Sequence, residues 1–265
     1  MITVKDALKR KLLDHGWFCS SAVSDDQVQA FLCTMRPVAT DKPLIRVGSP
    51  ADGGYLIPDD LEGVRYCFSP GVAHSSAFET DLAVRGIESF MADYSVDGPA
   101  AESPMFHFSK RYLGAFTDDV FITMGDWLQR TISPDDGDLI LQMDIEGCEY
   151  DVIFETPEEI WKRFRIAAIE FHNVNIIFQP MGLKLLSLCM NKLLRVFDVV
   201  HIHPNNGGGT IRHGALVIPR LIEVTLLRKD RIGTREAARS FPHPLDRPNF
   251  PELPAVELPE CWYRE

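Results

Sequence analysis

The sequence predicts an α/β fold: a doubly wound, mostly parallel sheet of seven strands with helices on both faces. Short apolar runs alternate with helical stretches from Arg65 onward, the pattern left when crossover helices bury a sheet from both sides. The runs fall at 65–68, 88–92, 105–108, 139–143, 166–171, 196–201 and 221–228. With 265 residues, 45% hydrophobic and 25% charged, the chain has a globular composition that one large domain with terminal additions accounts for.

Taken in order, residues 1–40 are expected to form a helical appendage. From Thr3 to about Met35, Ala7, Leu8, Leu12 and Leu13, then Val28, Phe31 and Leu32, recur at helical spacing, and Ser24-Asp25-Asp26 caps the second helix. Residues 41–239 carry the sheet. Its last two runs are separated by His203-Pro204-Asn205-Asn206-Gly207-Gly208-Gly209 and no long helix, so the seventh strand is expected to run antiparallel to its neighbours. Beyond Arg239, prolines at 242, 244, 248, 251, 254 and 259 each remove a backbone donor. Residues 240–265 are therefore expected as an extended tail, lying on the domain or partly disordered.

A net charge of −11 argues against a broad nucleic-acid or anionic-membrane surface, since phosphate binding draws on clustered Lys and Arg. The one basic stretch, Arg228 to Arg239, reads as a solvated helix face rather than a binding patch. No apolar run reaches the length of a membrane span, and Met1 to Gly16 alternates charges where a leader would be apolar, which suggests a cytoplasmic protein. Six scattered cysteines form neither a disulfide framework nor a zinc knuckle, so reduced and mostly buried thiols are expected.

Ligands of open α/β sheets sit beyond the carboxyl ends of the strands, where strand order reverses. The first run ends in Ser69-Pro70-Gly71-Val72; Gly71 lets the backbone pass close to a ligand, and Ser76 with Glu79 reads as a capping box opening a helix. The second run ends at Asp93, where a carboxylate can accept both hydroxyls of a ribose. The fourth runs into Asp144-Ile145-Glu146-Gly147-Cys148-Glu149. Acids so close together imply a cation, a hydrogen-bond network or a raised pKa, although Glu146 and Glu149 also suit the first turn of a helix. The fifth ends in Glu170-Phe171-His172, and the sixth supplies His201 and His203 with the same alternation. Asp144, Glu170, His172 and His203 are thus expected to converge as oxygen and nitrogen ligands of a divalent metal (Mn, Fe or Zn in preference to Mg), or as a metal-free catalytic group in which His172 or His203 is the base. Asp52-Gly53-Gly54-Tyr55 reads equally as a loop over the same cleft, where Arg46, Asp52 and Tyr55 meet substrate, and as a two-residue primed hairpin turn.

At these residues the sequence resembles the FkbM-type methyltransferases, over about residues 44–230. The likeness rests on Arg46-Val47-Gly48, Asp52-Gly53-Gly54-Tyr55, Ser69-Pro70-Gly71-Val72, Ser76-Ala77-Phe78-Glu79, Met143-Asp144-Ile145-Glu146-Gly147-Cys148-Glu149 and Ile169-Glu170-Phe171-His172. It implies the class I, Rossmann-like sheet of S-adenosylmethionine-dependent methyltransferases, whose reversed seventh strand separates it from ordinary dinucleotide-binding sheets. It also implies methyl transfer to a hydroxyl of a sugar, glycan or glycosylated small molecule. Ser69, Gly71 and Glu79 would then surround the methionine part of S-adenosylmethionine and Asp93 its ribose. A nicotinamide-dependent oxidoreductase would use a similar turn but with three glycines, where one is present here. A non-catalytic binding module on the same fold is the third reading, with a homo-oligomer compatible with all of them.

Overall fold

The computed structural model describes residues 4–17 and 19–264; Met1, Ile2, Thr3, Phe18 and Glu265, which bound parts of the expected appendage and tail, lie outside the described residues. The sheet comprises β1 Tyr66–Pro70, β2 Glu88–Ala92, β3 Phe106–Ser109, β4 Leu139–Met143, β5 Phe164–Phe171, β6 Phe197–Pro204 and β7 Ile222–Arg228. Their order is β6-β7-β5-β4-β1-β2-β3. Neighbours are parallel except at β7, which lies antiparallel between β5 and β6. This is the class I methyltransferase, Rossmann-like sheet, with its last strand reversed as the glycine-rich connection implied.

Helix α1 Val4–Asp14 buries none of its residues, while α2 Asp25–Thr34, α3 Ala77–Val84, α4 Met124–Thr131, α5 Glu149–Glu155, α6 Glu158–Trp161 and α7 Pro180–Leu193 surround the sheet. At α2 the expected cap forms in full: Ser24 and Gln27 satisfy each other's backbone amides. Alternate strand residues feed two cores. Leu139, Leu141 and Met143 face the larger one with Val28, Leu32, Trp127 and Leu186. Cys67, Ile140, Ile166 and Ala168 face a smaller one with Phe78 and Leu82 of α3 and with Val47, Tyr55 and Ile57. These last three belong to an antiparallel ribbon, Leu44–Gly48 with Gly54–Pro58. Among the described residues no helix is long and apolar enough to cross a membrane.

Several local expectations are corrected. Gly48 pairs with Gly54, so residues 49–53 form a longer loop rather than a two-residue primed turn. Ser76 precedes α3 without a side-chain cap, because its hydroxyl accepts the Ala100 amide and Glu79 turns inward to Ser69. The basic stretch is strand end and a short 3-10 turn, not a helix; Arg228 pairs with Asp138 and Asp230, Arg231 with Asp60, and Arg235 with Asp198. Of the cysteines, all free, only Cys67 and Cys189 are buried. The glycine-rich connection contains a further hairpin, Thr210–His213 with Leu216–Pro219. The proline-rich tail lies along the domain, where Leu258 and Trp262 enter the larger core and the turn at Glu260–Trp262 packs against α2.

Candidate active site

Strand order reverses between β1 and β4, and the chain draws these two ends together: the Asp144 amide donates to the Pro70 carbonyl at 3.3 Å. Gly71 follows in a left-handed conformation, φ +85°, and a Cβ built there would stand 1.5 Å from the Asp144 carbonyl oxygen. Only glycine fits. Beside this contact opens a cleft of about 310 Å³ lined by Asp52, Tyr55, Gly71, Glu79, Gln142 and Asp144 among others.

The cleft floor is polar because each strand on the ribbon side ends in a hydrogen-bonding side chain. Ser69 Oγ lies within hydrogen-bond distance of the Glu79 carboxyl and, at 2.6 Å, of Gln142 Oε1, and the Gln142 amide donates to the Tyr55 hydroxyl at 3.2 Å. Burial holds the Glu79 carboxyl above its ordinary value, against the Ser69 hydrogen bond. Burial, then the charges of Asp144, Glu170 and Glu223, pushes the Tyr55 phenol up as well, so it stays protonated. Asp93 is buried and accepts from the Ala73 amide at 2.9 Å and from Ser95 at 2.6 Å, which ties the loop after Gly71 to the end of β2.

Asp144 stands at the mouth of a charged cluster. His172 Nε2 lies 3.9 Å from Asp144 Oδ1 and 3.3 Å from exposed Glu146, while Nδ1 lies 3.0 Å from Glu149 Oε1. Glu149 also accepts the Gly147 amide at 3.0 Å and is fully buried. Burial raises the Asp144 carboxyl to about 7; His172 opposes this, while Glu146, Glu149 and Asp52 add to it. Burial disfavours the His172 cation, but the Glu149 hydrogen bond and charge, with Asp144 and Glu146, hold its value above the ordinary one. Asp144 Oδ1 and Glu149 Oε2 are both buried without a hydrogen-bond partner.

The expected four-residue convergence takes another form. Asp144 and His172 meet, and Glu149 completes their set. His203 does not join it because β7 is inserted between β6 and β5; Glu170, on the strand that leads into His172, does not join it either, and Glu223 of β7 lies opposite both. Glu170 instead accepts from Asn205 at 2.8 Å, and burial, then the Asp144 and Glu223 charges, pushes it well up. His203 faces Asp246 of the tail at 3.5 Å. Of the expected substrate residues, Asp52 and Tyr55 line the cleft, whereas Arg46 donates to the Ser49 and Ala51 carbonyls of its own loop. The sequence reading missed Gln142, Glu223 and Asn249, whose amide bridges Glu223 at 2.6 Å and Asp52 at 3.0 Å. A glutamine within an apolar strand and an acid within another were the available signals; Asn249 gave none.

No protein-family model matches the chain, and no curated protein does. Among solved structures, one chain of a fibrillarin/Nop5p complex is 12% identical, covering 73% of this chain and 98% of its own, at a TM-score of 0.41. A putative S-adenosylmethionine-dependent methyltransferase from Listeria monocytogenes is 9% identical over 62% of this chain and 90% of its own, at 0.37. Magnesium protoporphyrin IX methyltransferase from Synechocystis PCC 6803 with bound SAH is 12% identical over 64% and 75%, at 0.33. At these scores the assignment of the sheet stands on its own strand order.

Proposed function

We propose that the chain is an S-adenosylmethionine-dependent O-methyltransferase of the FkbM type, with a hydroxyl of a sugar, glycan or glycosylated small molecule as acceptor. The observation that carries this reading is the packing of Gly71 on the Asp144 carbonyl at the switch point, with the Asp144 carboxyl lining the same cleft. Gly71 and Glu79 then hold the methionine part of the cofactor, with Ser69 positioning Glu79, and Asp93 takes the ribose. Residues 41–239 form the catalytic unit, and the tail, whose Asn249 bonds Asp52, shapes its acceptor side.

The cofactor's sulfonium supplies the electrophilic methyl group, so the protein must align the acceptor oxygen and remove its proton. Asp144, with a value near 7, accepts that proton, and His172, anchored by Glu149, stabilises the carboxylate form beforehand. A second reading, in which Asp144, Glu149 and His172 hold a divalent cation that orients the acceptor, is favoured by the unpartnered oxygens of the two acids.

Calorimetric titration with S-adenosylmethionine and with NADH, each with and without Mn²⁺ or Mg²⁺, tests the assignment. Binding of the former alone is expected; binding of NADH alone would replace this reading with the oxidoreductase. Asp144→Ala is expected to lower the transfer rate by about 10²-fold or more while leaving the circular dichroism spectrum unchanged, and full activity in that variant would remove Asp144 from the mechanism.

A further inference from the structure

We propose that His201, His203 and Asp246 form a separate site for a divalent first-row transition ion such as Zn²⁺, one that pins the proline-rich tail to the edge strand β6. Neither the cofactor nor the acid cluster at Asp144 takes part in it.

The site begins with a β-bulge. Between Val199 and His201 the pairing of β6 with β7 shifts register, so that His201 comes opposite Thr225 and His203 opposite Glu223. Both imidazoles then project from one strand toward the tail segment that crosses it. Asp246 meets them there: His201 Nε2 lies 2.8 Å and His203 Nδ1 3.5 Å from the same oxygen, Oδ1. The three donor atoms all fall within 4.8 Å of one another. A tetrahedral ion with bonds of ~2.0–2.1 Å sets its ligand atoms about 3.3–3.4 Å apart, so small side-chain adjustments suffice.

Hydrogen bonding within the protein leaves this cluster incomplete. Two imidazoles compete for one carboxylate oxygen, and His201 takes it. His203 Nε2 is buried without a hydrogen-bond partner, and its Nδ1 has only the long 3.5 Å contact to Asp246, an arrangement that a folded protein normally avoids. The other Asp246 oxygen is already engaged, accepting the His243 amide at 2.7 Å, which fixes the carboxylate's orientation as outer-shell contacts do for metal ligands. A cavity of about 170 Å³ reaches His203 and Asp246 from the tail side, between Phe241 and Pro248, with room for water to fill a remaining coordination position. Two imidazoles with one carboxylate suit Zn²⁺, Co²⁺ or Fe²⁺ rather than the all-oxygen shells of Mg²⁺ and Ca²⁺.

Three residues beyond Asp246, Asn249 bonds both Glu223 and Asp52, and Asp52 lines the cofactor cleft. An ion held by Asp246 therefore fixes the stretch of tail whose Asn249 holds Asp52 at the cleft.

Co²⁺ provides the probe. The full chain, freed of metal with a chelator and desalted, is titrated with Co²⁺ alone while visible absorption is recorded. One equivalent with nitrogen- and oxygen-ligated d–d bands is expected, displaced by Zn²⁺ and unaffected by excess Mg²⁺. This equivalent is expected to persist in His172→Gln and to weaken at least ~10- to 100-fold in both His203→Gln and Asp246→Asn. Circular dichroism checks that the variants fold, and a folded variant decides should the other fail. As an independent readout, Zn²⁺ is expected to slow proteolysis within residues 240–264 of the unmodified chain. Absence of Co²⁺ binding, its persistence in His203→Gln and Asp246→Asn, or its loss in His172→Gln alone would overturn the proposal.

Discussion

Gly71 and His172 do their work through geometry that single substitutions can separate. Gly71→Ala combines a left-handed backbone conformation with a Cβ driven into the Asp144 carbonyl. Gly86, at φ +77° with nothing within 4 Å of where a Cβ would stand, carries the strain without the clash. Gly86→Ala is expected to cost about 1–2 kcal/mol, and Gly71→Ala distinctly more together with loss of S-adenosylmethionine binding, by thermal denaturation and calorimetry. Equal costs would mean that the β1–β4 junction yields easily. At His172 the test is a pH profile. With Asp144 as the proposed proton acceptor, which must be ionised, kcat/KM is expected to rise through pH about 7, the Asp144 value. His172 lowers that value, so His172→Gln is expected to move the ascending limb to higher pH; an unmoved limb would separate the two residues. Asp144 and His172 were legible in sequence because charged groups at the ends of apolar strands have few structural uses. Glu149 was ambiguous, since an acid opening a helix already has a role at the helix dipole. Asp246 and Asn249 were illegible, for nothing in a proline-rich run marks which residue tertiary packing turns inward.

The strands were the most legible elements, and their errors have identifiable causes. β2 and β4 fall where the apolar runs place them, but β6 continues past the apolar run to Pro204, beyond the point at which the sequence places the start of the glycine-rich connection. The hairpin within that connection was hidden by the same glycines. The tail is the element whose role composition least revealed: without a long helix or sheet strand of its own, it inserts a fully buried Trp262 into the core beside α2. Trp262→Ala is expected to destabilise the protein by about 3–5 kcal/mol, measured by denaturant unfolding. A change under about 0.5 kcal/mol, the range of a surface substitution, would return the tail to the status of an ornament.

Across the whole molecule, the buried acids set how stability responds to pH. Burial raises Glu223 from 4.5 to about 7, with His203, the Asn249 hydrogen bond and Arg46 opposing. A carboxyl whose value is raised on folding binds its proton more tightly in the folded state, so its contribution is fully present below about 4.5 and is lost as pH climbs toward 7. Glu170 and Asp144 act in the same sense, while the histidines around Asp246, working against its burial, hold that carboxyl low and give the opposite one. Glu223→Gln, which keeps an acceptor for Asn249, is expected to raise the unfolding free energy more at pH 8 than at pH 5, by up to ~3 kcal/mol at about 1.4 kcal/mol per pH unit, measured by denaturant unfolding at the two pH values. An equal shift at both values would show that folding does not raise the Glu223 carboxyl. The insertion of β7 between β5 and β6 also orders events at the ribosome. Until Ile222–Arg228 has left the exit tunnel, β5 and β6 have no strand between them, and each presents an unsatisfied edge. At about 5–20 residues per second the nascent chain spends seconds in that state, so this fold places its greatest demand on chaperones in the interval between the emergence of β6 and that of β7.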